Sequence, residues 1–235
     1  MRIGIVGAME VEVERVCAAI EGAERTRVAG WELCSGTLDG TEVVVVRSGV
    51  GKVNAGICVQ ALVDRFQVTH VVNTGIAGSL DPTLDIGDLV VSTDCVQHDF
   101  TVAPLGYAPG VVPGRDRAEY VADRALVGAA LAAAAAEAPD VRCVEGRVAS
   151  GDQFVASDDE RARIVAQFGA RCCEMEGAAM AQACELNGVP FVVVRAISDK
   201  PGSEGQAMDY AAFEAQAAHH CARVVMRMVR DLGAR

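Results

Sequence analysis

The sequence lacks an excess of basic residues. It has 21 lysines and arginines against 32 aspartates and glutamates, and its formal net charge is −11 at pH 7. Nucleic acids and anionic membranes attract proteins mainly through basic surfaces. The balance therefore argues against both as partners, and we predict that the protein binds no nucleic acid and no membrane.

Long hydrophobic runs are missing as well. The longest uninterrupted apolar run, residues 125–136, is rich in alanine and falls well short of the roughly 20 residues that a membrane-spanning helix needs. A brief apolar stretch after Arg2 meets Glu10 and Glu12 at once, which does not fit a signal peptide. Because hydrophobic residues still make up 51% of the chain, we expect a folded, cytoplasmic enzyme.

Cysteine is plentiful, but its spacing excludes the common cysteine motifs. The nine cysteines are scattered, and no pair has the C-x-x-C form. This excludes a zinc ribbon and a thioredoxin motif. Since most of the cysteines have apolar neighbours, we expect buried free thiols. The adjacent His219 and His220 have no carboxylate cluster at matching spacing, and we predict no metal site.

Strand and helix patterns alternate along the whole chain. Strands are predicted at residues 2–8, 31–35, 41–47, 70–74, 88–92, 143–149, 172–175 and 191–197. Helices are predicted from residue 9, at 52–66, 118–138 and 157–168, from the end of the 172–175 strand to 186, and at 210–229. Because no linker, composition break or repeat divides the chain, we predict one α/β domain with helices packed on a parallel or mixed sheet.

Local signals mark three of the connections. Asp39-Gly40 between two strand patterns predicts a hairpin turn. Ser157, followed by acidic residues, predicts a helix N-cap. Residues 101–114 contain three prolines and three glycines and are predicted to form a long loop, a kind of segment that is often functional.

Three carboxylates stand out because each follows a predicted buried strand. Glu12 and Glu176 lie at strand-to-helix junctions, and Asp199 follows the apolar strand 191–197. Ligand-binding groups of α/β proteins gather at strand ends. Acidic residues at helix starts also serve simply as dipole partners, so this alternative stays open for each of them. The periodicity does not distinguish Glu12 from Glu10 or Glu14.

One glycine-rich stretch does not match the motif of a nucleotide-triphosphate site. Gly49-Val50-Gly51-Lys52 resembles part of a phosphate loop, but that motif requires a glycine five positions before Gly51 and a hydroxyl residue after Lys52. The sequence has Val46 and Val53 there. No dinucleotide fingerprint is present either.

Six short segments, taken together, carry a family resemblance. They are GIVGAMEVE at 4–12, SGVGKVN at 48–54, NTGIAG at 73–78, SGDQF at 150–154, EME at 174–176 and RAISD at 195–199. In this order they resemble the 5′-methylthioadenosine/S-adenosylhomocysteine nucleosidases over nearly the whole chain. The resemblance implies a single three-layer α/β/α domain over residues 1–235, with a central mixed sheet of the nucleoside phosphorylase/hydrolase type. It also implies a homodimer.

The resemblance implies hydrolysis of the N-glycosidic bond of an adenine nucleoside, without cofactor or metal. Asp199 would be the general acid that protonates adenine N7, and it must carry a proton to do so, which burial favours. Glu12 would hold and activate the attacking water. Glu176 would bind the ribose hydroxyls and help to stabilise positive charge on the sugar.

The resemblance also implies a set of substrate-binding residues. Phe154 would stack on adenine, the Val155 backbone would bind the edge of the base, and Met175 would lie against the ribose. The pocket for the 5′-alkylthio group would contain Met9, Val50, Val102, Leu105, Tyr107, Pro113 and Tyr210. Ile76, Ala77, Gly78, Glu174, Arg195 and Ser198 complete the predicted substrate site. The loop 101–114 would complete the site of the neighbouring subunit.

Two departures from the family pattern leave the substrate open. Many members have serine where this chain has Ile76, and many have a second acidic residue after the His-Asp pair at 98–99. Methylthioadenosine, S-adenosylhomocysteine, 5′-deoxyadenosine and aminodeoxyfutalosine-type nucleosides therefore stay as candidate substrates. A purine nucleoside phosphorylase is less favoured, because the loop from Ala8 to Glu12 and residues 73–80 have no arginine for phosphate. A binding module without turnover is a further alternative.

Overall fold

The computed structural model of the chain describes residues 1–234, which form ten strands and six α-helices. The strands are β1 (Arg2–Gly7), β2 (Glu21–Val28), β3 (Trp31–Leu38), β4 (Thr41–Arg47), β5 (His70–Ser79), β6 (Leu89–Gln97), β7 (Tyr120–Val121), β8 (Cys143–Ser150), β9 (Cys172–Glu174) and β10 (Phe191–Asp199). The helices are α1 (Glu10–Ala18), α2 (Lys52–Phe66), α3 (Arg124–Glu137), α4 (Asp158–Phe168), α5 (Gly177–Asn187) and α6 (Gln206–Gly233). Residues 103–105 form a single 3₁₀ turn.

A mixed sheet runs through the centre of the fold and closes on itself at one end. Its open part has the order β2-β3-β4-β1-β5. Beyond β5, the strands β10, β6, β8 and β9 follow one another, and β9 returns to pair with β5. The two-residue strand β7 pairs with β6. The central mixed sheet predicted from the sequence is confirmed, and its closure is an additional finding.

The helices cover the sheet in two groups, which gives the three layers of the predicted α/β/α fold. α6 packs on β5 and β10 and also against α1 and α3. On the other side α5 covers β6 and β8, and α2 packs on α5. No helix within residues 1–234 combines the length and the apolar character required to cross a membrane.

Parallel strands bring the sequence-predicted carboxylates to one edge of the sheet. β1 pairs in parallel with β5, and β5 pairs in parallel with β10. These strands are buried at nearly every position, as their uninterrupted apolar patterns predict. Their carboxyl ends therefore lie side by side, with Gly7, Ser79 and Asp199 as the last residues.

Several local predictions are confirmed. Asp39 and Gly40 have φ values of 48° and 80° and connect β3 to β4, as expected for a hairpin turn with two left-handed residues. The Ser157 side chain accepts a hydrogen bond from the backbone N–H of Glu160, and Ser157 is the N-cap of α4. All nine cysteines, which lie within residues 1–234, are free, and most are buried.

The prediction of a helix over 118–138 is wrong at its start. Tyr120 and Val121 pair with β6 instead, and α3 begins at Arg124. The physical reason is the Asp123 carboxylate, which accepts hydrogen bonds from the N–H groups of Ala125 and Leu126 at 3.0 and 2.9 Å. An N-cap of this kind starts a helix at the residue that follows it.

Other boundaries were incomplete. The sequence pattern missed β2, because this strand is charged and largely exposed and has no alternation of apolar residues. β5 and β6 continue beyond residues 74 and 92 to Ser79 and Gln97. α6 begins at Gln206, one turn before the predicted start. These ends contain polar or small residues, so no apolar pattern predicts them. Tertiary contacts stabilise them instead.

Candidate active site

An open pocket lies at the carboxyl ends of β1, β5 and β10. The lining residues are Ala8, Met9, Glu12, Val50, Ile76, Ala77, Gly78, Gln153, Phe154, Val155, Cys173, Glu174, Met175, Glu176, Ser198, Asp199, Pro201 and Tyr210. Three of its acidic side chains, those of Glu12, Glu176 and Asp199, are the carboxylates that the sequence singled out.

The Glu12 carboxylate is held by backbone N–H groups at the start of α1. Oε2 accepts from Ala8 and Met9 at 2.6 and 2.9 Å, and Oε1 accepts from Ile76 at 3.1 Å. Burial raises the pKa of Glu12, whereas Arg195 and the three N–H groups oppose the rise. Glu12 therefore does cap its helix, and it also presents a fixed, buried carboxylate to the pocket. Neighbouring Glu10 and Glu14 are exposed.

Glu176 is attached to the glycine-rich loop that precedes α2. Its Oε1 accepts a hydrogen bond from the Gly51 N–H at 2.8 Å, and the residue is 4% exposed. Burial and the nearby Glu174 carboxylate raise the pKa of Glu176 to about 7. The Gly49–Lys52 stretch, which does not fit a phosphate loop, thus orients an acidic residue of the pocket.

A fully buried arginine holds the acidic residues together from behind the pocket. The Arg195 guanidinium donates to Glu174 and to Asn73, and it lies 4.0 Å from Glu12 Oε1 and 3.8 Å from Glu176 Oε2. Glu174 also accepts from the Ser150 hydroxyl and from the N–H groups of Glu176 and Gly177. One guanidinium therefore lies close to three buried carboxylates, those of Glu12, Glu174 and Glu176.

Glycine at position 75 makes this arrangement possible. A Cβ atom there would collide with the Arg195 guanidinium and would lie 2.5 Å from Glu12 Oε1. Only a residue without a side chain allows the arginine and the glutamate to approach the β5 backbone this closely.

Asp199 ends β10 and is 2% exposed. The Ser198 hydroxyl donates to its Oδ1 at 2.7 Å, and the Gln206 carboxamide donates to its Oδ2 at 2.8 Å. The register of β10 against β5 shifts between Ile197 and Asp199. This irregularity brings consecutive polar residues, Ser198 and Asp199, to the same pocket.

Most of the remaining lining is apolar and includes two aromatic rings. Phe154 is 54% exposed, and its ring meets that of Tyr210 edge-on, with the centroids 5.8 Å apart. The Tyr210 hydroxyl lies 3.5 Å from the Met9 sulfur. The half-exposed ring of Phe154, in the same pocket as the buried Asp199, provides a surface on which a flat heterocycle can stack.

Most of the predicted site residues are brought together, and four are not. The pocket contains Met9, Glu12, Val50, Ile76, Ala77, Gly78, Phe154, Val155, Glu174, Met175, Glu176, Ser198, Asp199 and Tyr210. Arg195 lies behind the pocket and acts on it through the carboxylates. Val102, Leu105, Tyr107 and Pro113, all in the 101–114 loop, do not line this pocket within residues 1–234, and their role in a partner's site stays a prediction.

Sequence reasoning missed several residues of the site. The pocket also contains Ala8, Gln153, Cys173 and Pro201, and Gln206 is buried against Asp199. Ala8 and Gln153 lie inside segments that carried the resemblance, which is a usable signal. Gln206 lies in a glycine-rich stretch with no recognisable pattern, and only the packing of α6 against β10 reveals it.

The charge of the pocket limits its chemistry. Within residues 1–234, no lysine or arginine lines it, and the nearest cation, Arg195, is paired with Glu174. Lys52 is also engaged, because its ammonium group lies 2.6 Å from Asp99. In the same part of the chain no three histidine, cysteine or acidic side chains converge in a way that could hold a metal ion. The site thus offers acid and base groups to a neutral ligand.

The chain is similar to known proteins over nearly its whole length. The family model of the phosphorylase superfamily matches residues 2–230. A 5′-methylthioadenosine/S-adenosylhomocysteine nucleosidase of Geobacillus kaustophilus is 45% identical over 231 residues, 97% of this chain and 97% of the relative. The fold is also similar to a nucleosidase of that name from Colwellia psychrerythraea in complex with adenine, with a TM-score of 0.93, 38% identity and coverage of 97% of this chain and 94% of the other.

A second kind of enzyme has nearly the same fold. The futalosine hydrolase of Helicobacter pylori is similar with a TM-score of 0.92 and 31% identity, over 98% of each chain. Hydrolases that are named for different nucleosides therefore share this architecture. Only the details of the pocket can distinguish their substrates.

Proposed function

This chain belongs to the phosphorylase superfamily and, within it, to the 5′-methylthioadenosine/S-adenosylhomocysteine nucleosidases, and from this membership we propose its reaction. The enzyme hydrolyses the N-glycosidic bond of 5′-methylthioadenosine and S-adenosylhomocysteine. The products are adenine and the 5′-substituted ribose. The observation that carries the proposal is the pair of buried carboxylates, Glu12 and Asp199, which face one pocket with no lysine or arginine in its lining within residues 1–234.

Asp199 is proposed as the general acid for the leaving group. As the bond between C1′ and N9 breaks, its electron pair moves into the purine ring, and N7 takes the proton of the Asp199 carboxyl. Adenine then leaves as a neutral molecule. Its position supports this role, because Asp199 is buried at the carboxyl end of β10 and lines the pocket.

Glu12 is proposed as the general base for water. The water oxygen bonds to C1′ of the cationic sugar, and its proton passes to the Glu12 carboxylate. The raised pKa of Glu12, caused by burial, makes it a stronger base than an exposed carboxylate. The three backbone N–H groups fix its orientation, which limits the reorganisation needed during attack. Proton exchange with solvent restores Glu12 and Asp199.

Glu176 is proposed to bind the ribose hydroxyls and to stabilise the positive sugar. Its Oε1 accepts the hydrogen bond from the Gly51 N–H, so Oε2 is the oxygen that faces Arg195 and the pocket. The logic resembles that of two-carboxylate glycosidases, in which one group serves the leaving group and another serves the water. Phe154, Val155 and Met175 are proposed to hold the base and sugar as predicted above.

The proposed reaction is tested with adenine release from a panel of nucleosides in phosphate-free buffer. We expect kcat/KM to be largest for methylthioadenosine and S-adenosylhomocysteine, with 5′-deoxyadenosine and an aminodeoxyfutalosine-type nucleoside run alongside. The apolar walls formed by Met9, Val50 and Tyr210 favour an alkylthio group. Turnover confined to the futalosine-type nucleoside would establish the alternative, which the similarity to a futalosine hydrolase supports. Release only after phosphate is added would establish a phosphorylase.

A homodimer is proposed as the functional unit. Apolar side chains on α2 and α5 are exposed, with Val53 at 71%, Ile57 at 52% and Leu186 at 78%, and Leu105 in the 101–114 loop is exposed at 72%. Since α2 packs against α5, exposed apolar side chains on these two helices are typical of an interaction surface. The loop residues that do not line their own pocket would complete the partner's pocket.

The double variant Ile57→Glu/Leu186→Glu tests the dimer. We expect sedimentation velocity to show a dimer for the wild type and a monomer for this variant, because two buried charges would oppose association. Adenine release should fall in parallel. The control is Ala18→Glu, an exposed change on α1 in the other helix layer. A monomeric wild type with full activity would contradict the proposal.

We also propose that residues 1–235 form one domain and that the protein works in the cytoplasm. One sheet connects strands from β1 to β10, which supports a single unit. The nine free cysteines support a reducing compartment, since disulfides are rare there.

A further inference from the structure

The carboxamide of Gln206, the first residue of α6, makes three hydrogen bonds beside the pocket. The side chain is buried, with 7% exposure. Nε2 donates to the Val155 carbonyl oxygen at 2.9 Å and to Asp199 Oδ2 at 2.8 Å, and Oε1 accepts from the Gly202 N–H at 3.1 Å. Neither the family segments nor the reaction assigned above uses this residue.

The two acceptors of this amide are the groups proposed to bind the base. In adenine the 6-amino group lies beside N7 on the same edge of the purine. A carboxyl group that donates from one oxygen to N7 therefore brings its second oxygen next to the amino group. That nitrogen carries two hydrogens, as the Gln206 amide nitrogen does, and its natural acceptors are Asp199 Oδ2 and the Val155 carbonyl.

We propose that the Gln206 carboxamide occupies the place of the adenine 6-amino group in the free enzyme and is displaced when the base binds. This inference rests on the proposed function, because it takes Asp199 and Val155 as the groups that bind the base. It makes Gln206 a specificity-determining residue. A purine with a 6-amino group replaces both hydrogen bonds of the amide, whereas a purine without one leaves the amide in place.

The backbone before Gln206 allows such a displacement. Gly202 and Gly205 have φ values of 80° and 90°, so the turn that leads into α6 depends on left-handed glycine conformations. Tyr210, one helical turn later, lines the pocket and meets Phe154. A movement of Gln206 with the first turn of α6 therefore also changes the aromatic wall beside the base.

Displacement has a thermodynamic consequence that can be measured. In the wild type, binding of the 6-amino group exchanges two existing hydrogen bonds for two new ones, so the amino group adds little affinity. Without the amide, the same two acceptors gain hydrogen bonds that they did not have within the protein. From the net value of two hydrogen bonds, the preference for adenine over purine should rise about fivefold to a hundredfold.

The test is calorimetric binding of adenine and of unsubstituted purine to the wild type, Gln206→Ala and Gln206→Met. Methionine keeps the length of the side chain but cannot donate a hydrogen bond. The test can therefore still be made if the alanine variant does not fold. Both variants should raise the adenine-to-purine affinity ratio. The control, Gln216→Met, changes an exposed glutamine on the same helix and should keep the wild-type ratio.

The outcomes separate this inference from the proposed function. A ratio that is unchanged or lower in both Gln206 variants, in an enzyme that releases adenine from methylthioadenosine, overturns the inference alone. It would mean that Gln206 remains hydrogen-bonded to Asp199 in the complex or only stabilises the fold. A wild type that neither binds adenine nor releases it from any nucleoside overturns the proposed function and the inference together.

Discussion

Replacement of Asp199 by asparagine is expected to lower kcat for methylthioadenosine by about 10²–10⁴-fold, the usual contribution of a general acid. Asparagine has the same shape, and its oxygen still accepts one of the two hydrogen bonds that come from Ser198 and Gln206. What it lacks is the acidic proton. Adenine would then have to leave as an anion, which raises the barrier of bond cleavage.

The control for this prediction is Asp64→Asn, a change of an exposed aspartate on α2. Single-turnover adenine release should be slow in Asp199→Asn and normal in the control. Binding of methylthioadenosine to Asp199→Asn should persist, since the aromatic and apolar walls of the pocket are unchanged. A folded Asp199→Asn variant with near-normal turnover would remove Asp199 from the acid role.

Glu12→Gln has the second large expected effect, again a loss of about 10²–10⁴-fold in kcat. The neutral amide cannot accept the proton of the attacking water. Binding should be retained, because Glu12 is proposed to contact the water rather than the base. The conservative control is Glu14→Gln, which lies two residues further along α1 and is exposed.

The stability of Glu12→Gln has to be measured beside its activity. Both Glu12 oxygens accept backbone N–H groups, and glutamine has only one oxygen, so one buried donor would lose its partner at a cost of about 1–3 kcal/mol. Thermal unfolding of the variant shows whether it is folded at the assay temperature. If the folded variant bound nucleoside much more weakly but cleaved the bound substrate at the wild-type rate, the role assigned to Glu12 would be wrong.

The site illustrates what the pattern of a sequence can predict. Apolar strands followed by acids located Glu12, Glu176 and Asp199, because the ends of parallel strands meet at one edge of a sheet. The hydrophobic periodicity could not distinguish Glu12 from Glu10 and Glu14, because all three lie beside the apolar stripe of α1. The structure separates them through long-range contacts, namely the Ile76 N–H and the Arg195 guanidinium.

Other features had no local signal. The pairing of β9 with β5, which closes the sheet, joins segments about a hundred residues apart, and a sequence window cannot contain both. Arg195 was predicted as a site residue through the resemblance alone, because its local pattern is only a charged residue in an apolar strand. The structure shows its partners, Glu174 and Asn73. Gln206 is informative only because two acceptors from distant segments converge on it.

The most direct test of the account is hydrolysis of methylthioadenosine by the wild type in water enriched in ¹⁸O, without phosphate, followed by mass spectrometry of the sugar. We predict release of adenine without phosphate, and one labelled oxygen in each methylthioribose molecule analysed before its anomeric hydroxyl exchanges with solvent, because water forms the new bond to C1′. Absence of release without phosphate, with a sugar phosphate formed once phosphate is added, would contradict the account.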